Sequence, residues 1–265
     1  MKIVVFIKQV PDTNEVAIDR KTGRLIRDGV PSIINPDDRH ALEAALQMKD
    51  DAPDTHITVI TMGPPQADTV LREALAMGCD DAVLITDRAF AGSDTCATSL
   101  ILARAAQKVG GFDLILTGRQ AIDGDTAQVG PQIAERLNLP QVTYVSGIEQ
   151  AADGLLVRRT MEDGYTLIKV RTPCLLTVIG ELNTPRYPRI PGIFAAYQRE
   201  ITVWGIDDIG IDPKDAGLTG SPTNVYQTFV PVVERKGLVI ETVTKESIRE
   251  LTDKLCVIAN VAGRG

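Results

Sequence analysis

Through the first two thirds of the chain, short aliphatic runs alternate with segments whose apolar residues recur at helical spacing. Residues 3–7 (Ile-Val-Val-Phe-Ile), 57–61, 82–85 and 114–117 are apolar or β-branched throughout and read as strands buried on both faces. Between them, 38–49 carries Leu42, Ala45 and Leu46, 68–77 carries Val70, Leu71, Ala74 and Leu75, and 94–109 carries Ala97, Leu100, Ile101 and Ala105, each set on one helical face. This βαβα order predicts a parallel sheet with right-handed crossovers and helices on its faces.

The pattern then changes. Residues 142–148, 155–161, 165–170 and 174–179 read as strands with no helix between them, and Asp163-Gly164 is a hairpin turn signal, so an antiparallel extension of the sheet is expected. The stretch Asn-Thr-Pro-Arg-Tyr-Pro-Arg-Ile-Pro at 183–191 cannot continue a ladder, because each proline lacks a donor, and reads as a loop. Residues 205–231, broken by Gly210, Pro213, Gly217, Gly220 and Pro222, predict an extended arm that packs on another surface. A late amphipathic helix follows at 246–257, with Ile248, Leu251 and Leu255 on one face. The expected organisation is an α/β nucleotide domain over 1–182, a connecting segment over 183–200, and an arm with a terminal helix over 201–265.

Composition narrows the chemistry. The chain has 265 residues, 44% hydrophobic but only 4% aromatic. A core built mainly of Val, Ile, Leu and Ala is what buried parallel strands require, and a chain of this size buries roughly 70–75% of its unfolded surface, so neither disorder nor dependence on staples is expected. The four cysteines (79, 96, 174 and 256) are scattered without a Cys-x-x-Cys pair, and only His40 and His56 could join them, which excludes a Cys/His metal site or a disulfide framework. No apolar run reaches the roughly 18 residues of a membrane span, and the apolar start is too short for a signal peptide, so a reducing cytoplasm is the expected compartment. A formal charge of −7 without a sizeable basic cluster disfavours nucleic acid or anionic lipid as the main partner.

Neither Gly-x-Gly-x-x-Gly nor a P-loop occurs, and no Ser elbow or Cys/His pair marks a nucleophile. His40 reads as solvent-facing on its helix and His56 as structural. The acidic pairs Asp37-Asp38, Asp50-Asp51, Asp80-Asp81 and Asp207-Asp208 read as turns and solvated helix ends. What remains is a set of loops leaving the carboxyl ends of the predicted strands, the edge where open α/β sheets bind ligands. The strand ending at Gly118 is followed by small residues and a helix start through Gly130, which offers free backbone N–H groups and a helix dipole to a phosphate. Asp123 and Asp125 are wrong for an anion; they face away from it, cap the helix, or bind ribose hydroxyls. The plain alternative is a βα loop with Asp125 as the cap. Thr61-Met62-Gly63-Pro64-Pro65 and the long 8–39 connection with Asn35-Pro36-Asp37 leave the same edge. In 86–95, Arg88 and Gly92 could meet a second phosphate, or Asp94 could simply cap the following helix. No catalytic side chain is evident, so a cofactor would carry any chemistry.

The segment Gly118-Arg-Gln-Ala-Ile-Asp-Gly-Asp-Thr-Ala-Gln-Val-Gly-Pro131 resembles the nucleotide loop of electron-transfer flavoprotein beta subunits. The opening 4–13, Ile34-Asn35-Pro36-Asp37, 61–65 and the hairpin from 157 to 178 are similar in the same order, so the resemblance spans nearly the whole chain. It implies a Rossmann-like fold of the adenine-nucleotide alpha-hydrolase kind, and a heterodimer with an FAD-carrying alpha subunit around which the 210–231 arm would wrap. Carried over by position, the nucleotide contacts are Phe6, Asn35, Pro36, Asp37, Met62, Gly63, Asp123, Gly124, Asp125, Thr126, Ala127, Gln128, Val129 and Gly130.

The family has members whose beta site holds AMP and electron-bifurcating members whose beta site holds a second FAD reduced by NADH. Gly124, Thr126 and Ala127, with 87–95, resemble the bifurcating type: small residues leave room for a pyrophosphate, and Thr126 adds a hydroxyl donor. The resemblance then implies an NADH-dependent flavin oxidoreductase subunit. One electron would pass to the alpha-subunit FAD and a flavin dehydrogenase of acyl-CoA, enoyl-CoA or lactate type, the other to ferredoxin or flavodoxin. Phe90, Gly92, Asp94 and Thr95 fall on the NADH side, Ser221-Pro222-Thr223 either reaches a flavin or forms a simple turn, and Ile190 falls on the aliphatic anchor that docks the dehydrogenase. Two alternatives stand beside this reading: a single-flavin carrier holding structural AMP, and a stand-alone adenine-nucleotide sensor of the universal-stress type.

Overall fold

The computed structural model describes residues 1–12, 31–226, 237 and 239–262, in two compact units divided after Tyr226. The first unit is built on a nine-stranded sheet. Its strands are β1 (Lys2–Phe6), β4 (His56–Met62), β5 (Asp81–Ile85), β6 (Leu114–Gly118), β7 (Gln141–Ala151), β8 (Gly154–Met161), β9 (Gly164–Val170), β10 (Cys174–Val178) and β11 (Thr202–Trp204). They lie in the order β11-β5-β4-β1-β6-β10-β7-β8-β9. All pairs from β11 to β7 are parallel; β7–β8 and β8–β9 are antiparallel. This is the large, mostly parallel sheet expected.

Two strand placements differ from the sequence reading. β10 does not belong to the antiparallel extension: it inserts between β6 and β7, parallel to both. All five of its residues are buried, which a central strand requires and a half-solvated antiparallel one does not. A small separate sheet of β2 (Gln9–Pro11) and β3 (Ser32–Ile34) also closes the ends of what read as one long connection. Residues 13–30 of that connection lie outside the described part.

The two faces of the sheet follow from the period-2 alternation of side chains. Ile3, Val5 and Ile7 pack with α1 (Pro36–Asp51) and α2 (Asp68–Met77). Val4 and Phe6 face the other way, with α3 (Thr95–Val109), α4 (Val129–Arg136) and the buried Ile206, Ile209, Ile211 and Ala216. The start of the expected arm is thus seated on this second face: β11 edges the sheet, the single turn α6 (Ile206–Ile209) follows, and Lys108 lies 4.7 Å over the Trp204 ring.

The Pro-rich segment is only partly a loop. From Ile190 to Gln198 it is a helix, α5, with Pro191 in its first turn. Proline lacks the donor a ladder needs, but at a helix start that donor is unused and the fixed φ is favourable. In the second unit, α7 (Lys245–Ala262) covers the predicted terminal helix, and Ile248, Leu251 and Leu255 are exposed on it. Residues 227–236 of the expected arm lie outside the described part.

Candidate functional site

β1 leads to β4 on one side and lies beside β6 on the other, so the strand order reverses between β1 and β6. At the carboxyl ends of these strands opens a cleft of about 430 Å³, within the usual range for small-molecule sites. Phe6, Met62, Phe90, Gly92, Asp94, Thr95, Gly124, Thr126, Ala127, Gln128, Val129 and Gly130 line it. The cleft therefore gathers twelve of the eighteen predicted nucleotide and NADH-side residues from four separate segments of the chain.

The other six lie outside its lining. Asn35 is fully buried behind the loop: its Nδ2 donates to Gln120 O (2.9 Å) and its Oδ1 accepts from Ile122 N–H (3.0 Å). Pro36 opens α1. Asp37 pairs with Arg119 (3.5 Å), and burial raises its pKa against the pull of that guanidinium. Gly63 donates its N–H to Ile85 O (3.0 Å). Asp123 is ion-paired to Lys8 Nζ (2.6 Å), and Asp125 accepts from Gln120 Nε2. Both loop aspartates are thus taken up by side-chain partners. Neither caps the helix, whose cap position is Gln128 with no side-chain cap bond.

The loop's backbone is unusual. Asp125 and Ala127 both have φ of 52°, a left-handed conformation that non-glycine residues seldom adopt. Left-handed residues in a loop before a helix are among the elements from which anion-binding nests are built. The first N–H groups of α4 have no side-chain cap to satisfy them, and the helix dipole adds to their pull on an anion. Gly130 allows the helix to sit close: a Cβ there would stand 2.6 Å from Thr177 Cγ2 and 3.0 Å from Thr117 Oγ1.

On the opposite side of the cleft, Asp94 caps α3 by accepting from Ala97 N–H (3.0 Å). It also accepts from Thr223 Oγ1 (2.6 Å) and Thr223 N–H (3.0 Å). Burial pushes its carboxyl up, but these donors outweigh it and hold the pKa below the ordinary value. An ionised Asp94 suits hydroxyl or amide groups on that side and leaves phosphates to the 124–130 side. Ser221 accepts from Asp94 N–H (2.8 Å), so residues 221–223 brace the 92–95 loop. Phe90 is buried in the wall.

Asp38, read from the sequence as a solvated helix-end residue, is buried and lines the cleft. Its carboxyl accepts from Lys8 N–H (2.8 Å) and Gly118 N–H (2.9 Å), tying together the ends of β1 and β6. Burial raises its pKa to about 7 in spite of those two donors. Lys8, also missed, supplies both that N–H and the cation on Asp123. The usable signal was position: Lys8 stands two residues past the end of β1, and Asp38 lies in the first turn of the helix that Asn35 precedes.

A profile described as the electron transfer flavoprotein domain matches residues 22–209. The chain belongs to the electron transfer flavoprotein family. Its relatives identify it as a beta subunit. It is 56% identical to the electron transfer flavoprotein subunit beta of Thermoanaerobacterium thermosaccharolyticum, over 96% of this chain and 98% of that one. It is 55% identical to the caffeyl-CoA reductase-Etf complex subunit CarD of Acetobacterium woodii, over 96% of both. The acryloyl-CoA reductase electron transfer subunit gamma of Anaerotignum propionicum is 47% identical over 96% of this chain and 98% of its own. Among the described residues no group of three His, Cys, Asp or Glu could hold a metal ion. No helix there is long and apolar enough to cross a membrane.

Proposed function

We propose that this beta subunit binds FAD in the cleft, that this flavin takes hydride from NADH, and that the complex sends the two electrons to different acceptors. The observation that carries the choice of FAD over AMP is Gly124. It lines the cleft, and nothing lies within 4 Å of where its Cβ would stand, so the space beside residues 125–127 stays open. A second phosphate can pass there. FAD supplies the redox chemistry when bound: hydride acceptance and one-electron release.

The chain's own residues bind and orient. Residues 125–127 and the start of α4 would take the pyrophosphate, with Thr126 as a further donor; Phe6 and Met62 would pack on the adenosine. Asn35 and Asp37 hold the loop from behind, and Asp38 ties its start to the end of β1. Phe90, Gly92, Asp94 and Thr95 would form the NADH side. Ile190 would anchor a partner flavin dehydrogenase of the acyl-CoA, enoyl-CoA or lactate type, α7 would pack on the alpha subunit, and ferredoxin or flavodoxin would take the second electron. The complex names of two relatives, built on caffeyl-CoA and acryloyl-CoA reductases, support a CoA-ester reductase as the partner.

One observation favours a single-flavin carrier with AMP. Thr95 Oγ1 and Gln128 Oε1 are hydrogen-bonded at 2.9 Å between the two sides of the cleft, a bond that a mononucleotide would leave intact. Acid extraction of the purified alpha-beta complex separates the readings: two FAD and no AMP per heterodimer are expected, and one FAD with one AMP would sink the FAD assignment. The family match replaces the universal-stress reading of this fold.

A further inference from the structure

The segment leading into α5 is fixed more firmly than a connection requires. Glu43, on α1, has a side chain only 4% exposed. A carboxylate so buried needs a partner, and it comes from Arg186. The Arg186 Nε lies 2.9 and 3.2 Å from the two Glu43 oxygens, its Nη2 lies 3.0 Å from Oε1, and its backbone N–H donates to Oε2 at 3.0 Å. Nη2 also reaches Asp50 Oδ2 at 2.6 Å. At the other end of α5, Arg72 Nη1 donates to Ala196 O and Arg199 O, each at 2.6 Å, and Arg199 Nη1 donates to Cys79 O (3.0 Å) and Asp80 O (2.6 Å). Between the ends, Gly192 lies so close to the Ala76 carbonyl that no Cβ fits.

The face held outward is apolar. Tyr187, Ile190, Phe194 and Tyr197 are 83%, 71%, 72% and 73% exposed. Three of the chain's eleven aromatics (five Phe, five Tyr, one Trp) fall within 187–197, which makes this a concentrated patch in an aromatic-poor protein. Such patches on a soluble protein mark interaction sites.

We propose that Arg186, paired with Glu43, is a positioning residue for partner docking: the clamp fixes α5 and its approach in the bound shape before the partner arrives. This rests on the reading of Ile190 as the docking anchor. Association pays for ordering side chains and loops, and a segment ordered beforehand avoids that cost. Arginine is required because its planar fork meets both Glu43 oxygens at once, which a lysine cannot do. On that reading the occupant is a flavoprotein with an apolar pocket for Ile190, of the CoA-ester reductase kind for which the complexes of two relatives are named.

The test uses the full alpha-beta complex with an acyl-CoA dehydrogenase as probe. The variants are Ile190→Ala, Arg186→Lys and the charge-balanced double substitution Glu43→Gln with Arg186→Gln, which leaves no unpaired buried charge. The expected result is that the double variant raises the KM for the dehydrogenase by about tenfold with little change in kcat, and that amide exchange rises across 190–198. Flavin content and reduction by NADH stay unchanged, and Arg186→Lys falls between wild type and the double variant. If Ile190→Ala raises KM but the double variant alters neither KM nor exchange, the clamp has no positioning role and the inference fails. If Ile190→Ala itself has no effect, the docking reading fails and the inference with it.

Discussion

Asp38 shows how a residue's partners overrule its sequence context. As the second of two aspartates in the first turn of a helix it reads as a solvated cap, yet it holds the N–H groups of Lys8 and Gly118 from two strands. Those partners lie 30 and 80 residues away, beyond what local pattern reveals. Burial raises its pKa from the ordinary carboxylate range to about 7, so between those values the folded protein holds a proton that the unfolded chain has released. Stability from this group is therefore present at low pH and is lost as pH rises toward 7. Denaturant unfolding of wild type and Asp38→Asn at several pH values from 5 to 8 should show a falling difference between the two; a constant difference would contradict the assignment. Gly124 offers a separate prediction. Its Cβ position is open, so Gly124→Asp should leave stability within about 0.5 kcal/mol of wild type. It should nevertheless reduce bound FAD toward one per heterodimer, as read by absorbance after extraction.

At the scale of elements, the alternating strands and helices were legible because both faces of the parallel strands are buried and read as unbroken apolar runs. The same signal could have moved β10 into the sheet's centre, since Cys174-Leu-Leu-Thr-Val178 carries no alternation. It was read with its hairpin neighbours because nothing local specifies the long-range pairing with β6. The start of α5 was hidden by its prolines, whose effect depends on whether they fall inside a helix or at its first turn. The seat of α4 is a packing matter that no motif announces. Gly130→Ala should destabilise by about 1–3 kcal/mol, because a Cβ 2.6 Å from Thr177 overpacks the helix against the sheet. The check is chemical denaturation; an unchanged midpoint would show that α4 shifts freely. Weaker nucleotide retention should accompany the loss.

For the whole molecule, the sequence indicated the edge of the sheet at which the cleft opens but not how the cleft is built. Twelve predicted residues line one cleft, whereas Asn35, Asp37 and the loop aspartates support it from outside the lining. On the proposed reading the redox chemistry belongs to a flavin, and the chain's part is to offer backbone donors and small residues. The second unit carries an exposed apolar stripe, Ile248, Leu251 and Leu255, suited to a partner chain. Ending the chain after Tyr226 and co-expressing it with the alpha subunit should abolish co-purification while the first unit keeps its circular dichroism; retained co-purification would assign assembly to that first unit alone. The central claim is that this beta subunit holds a flavin reducible by NADH. Anaerobic titration of the purified alpha-beta complex with NADH, followed by flavin absorbance, tests it directly. Bleaching at stoichiometric NADH in a complex holding two FAD is the predicted result, and an unbleached spectrum with a single FAD would contradict it.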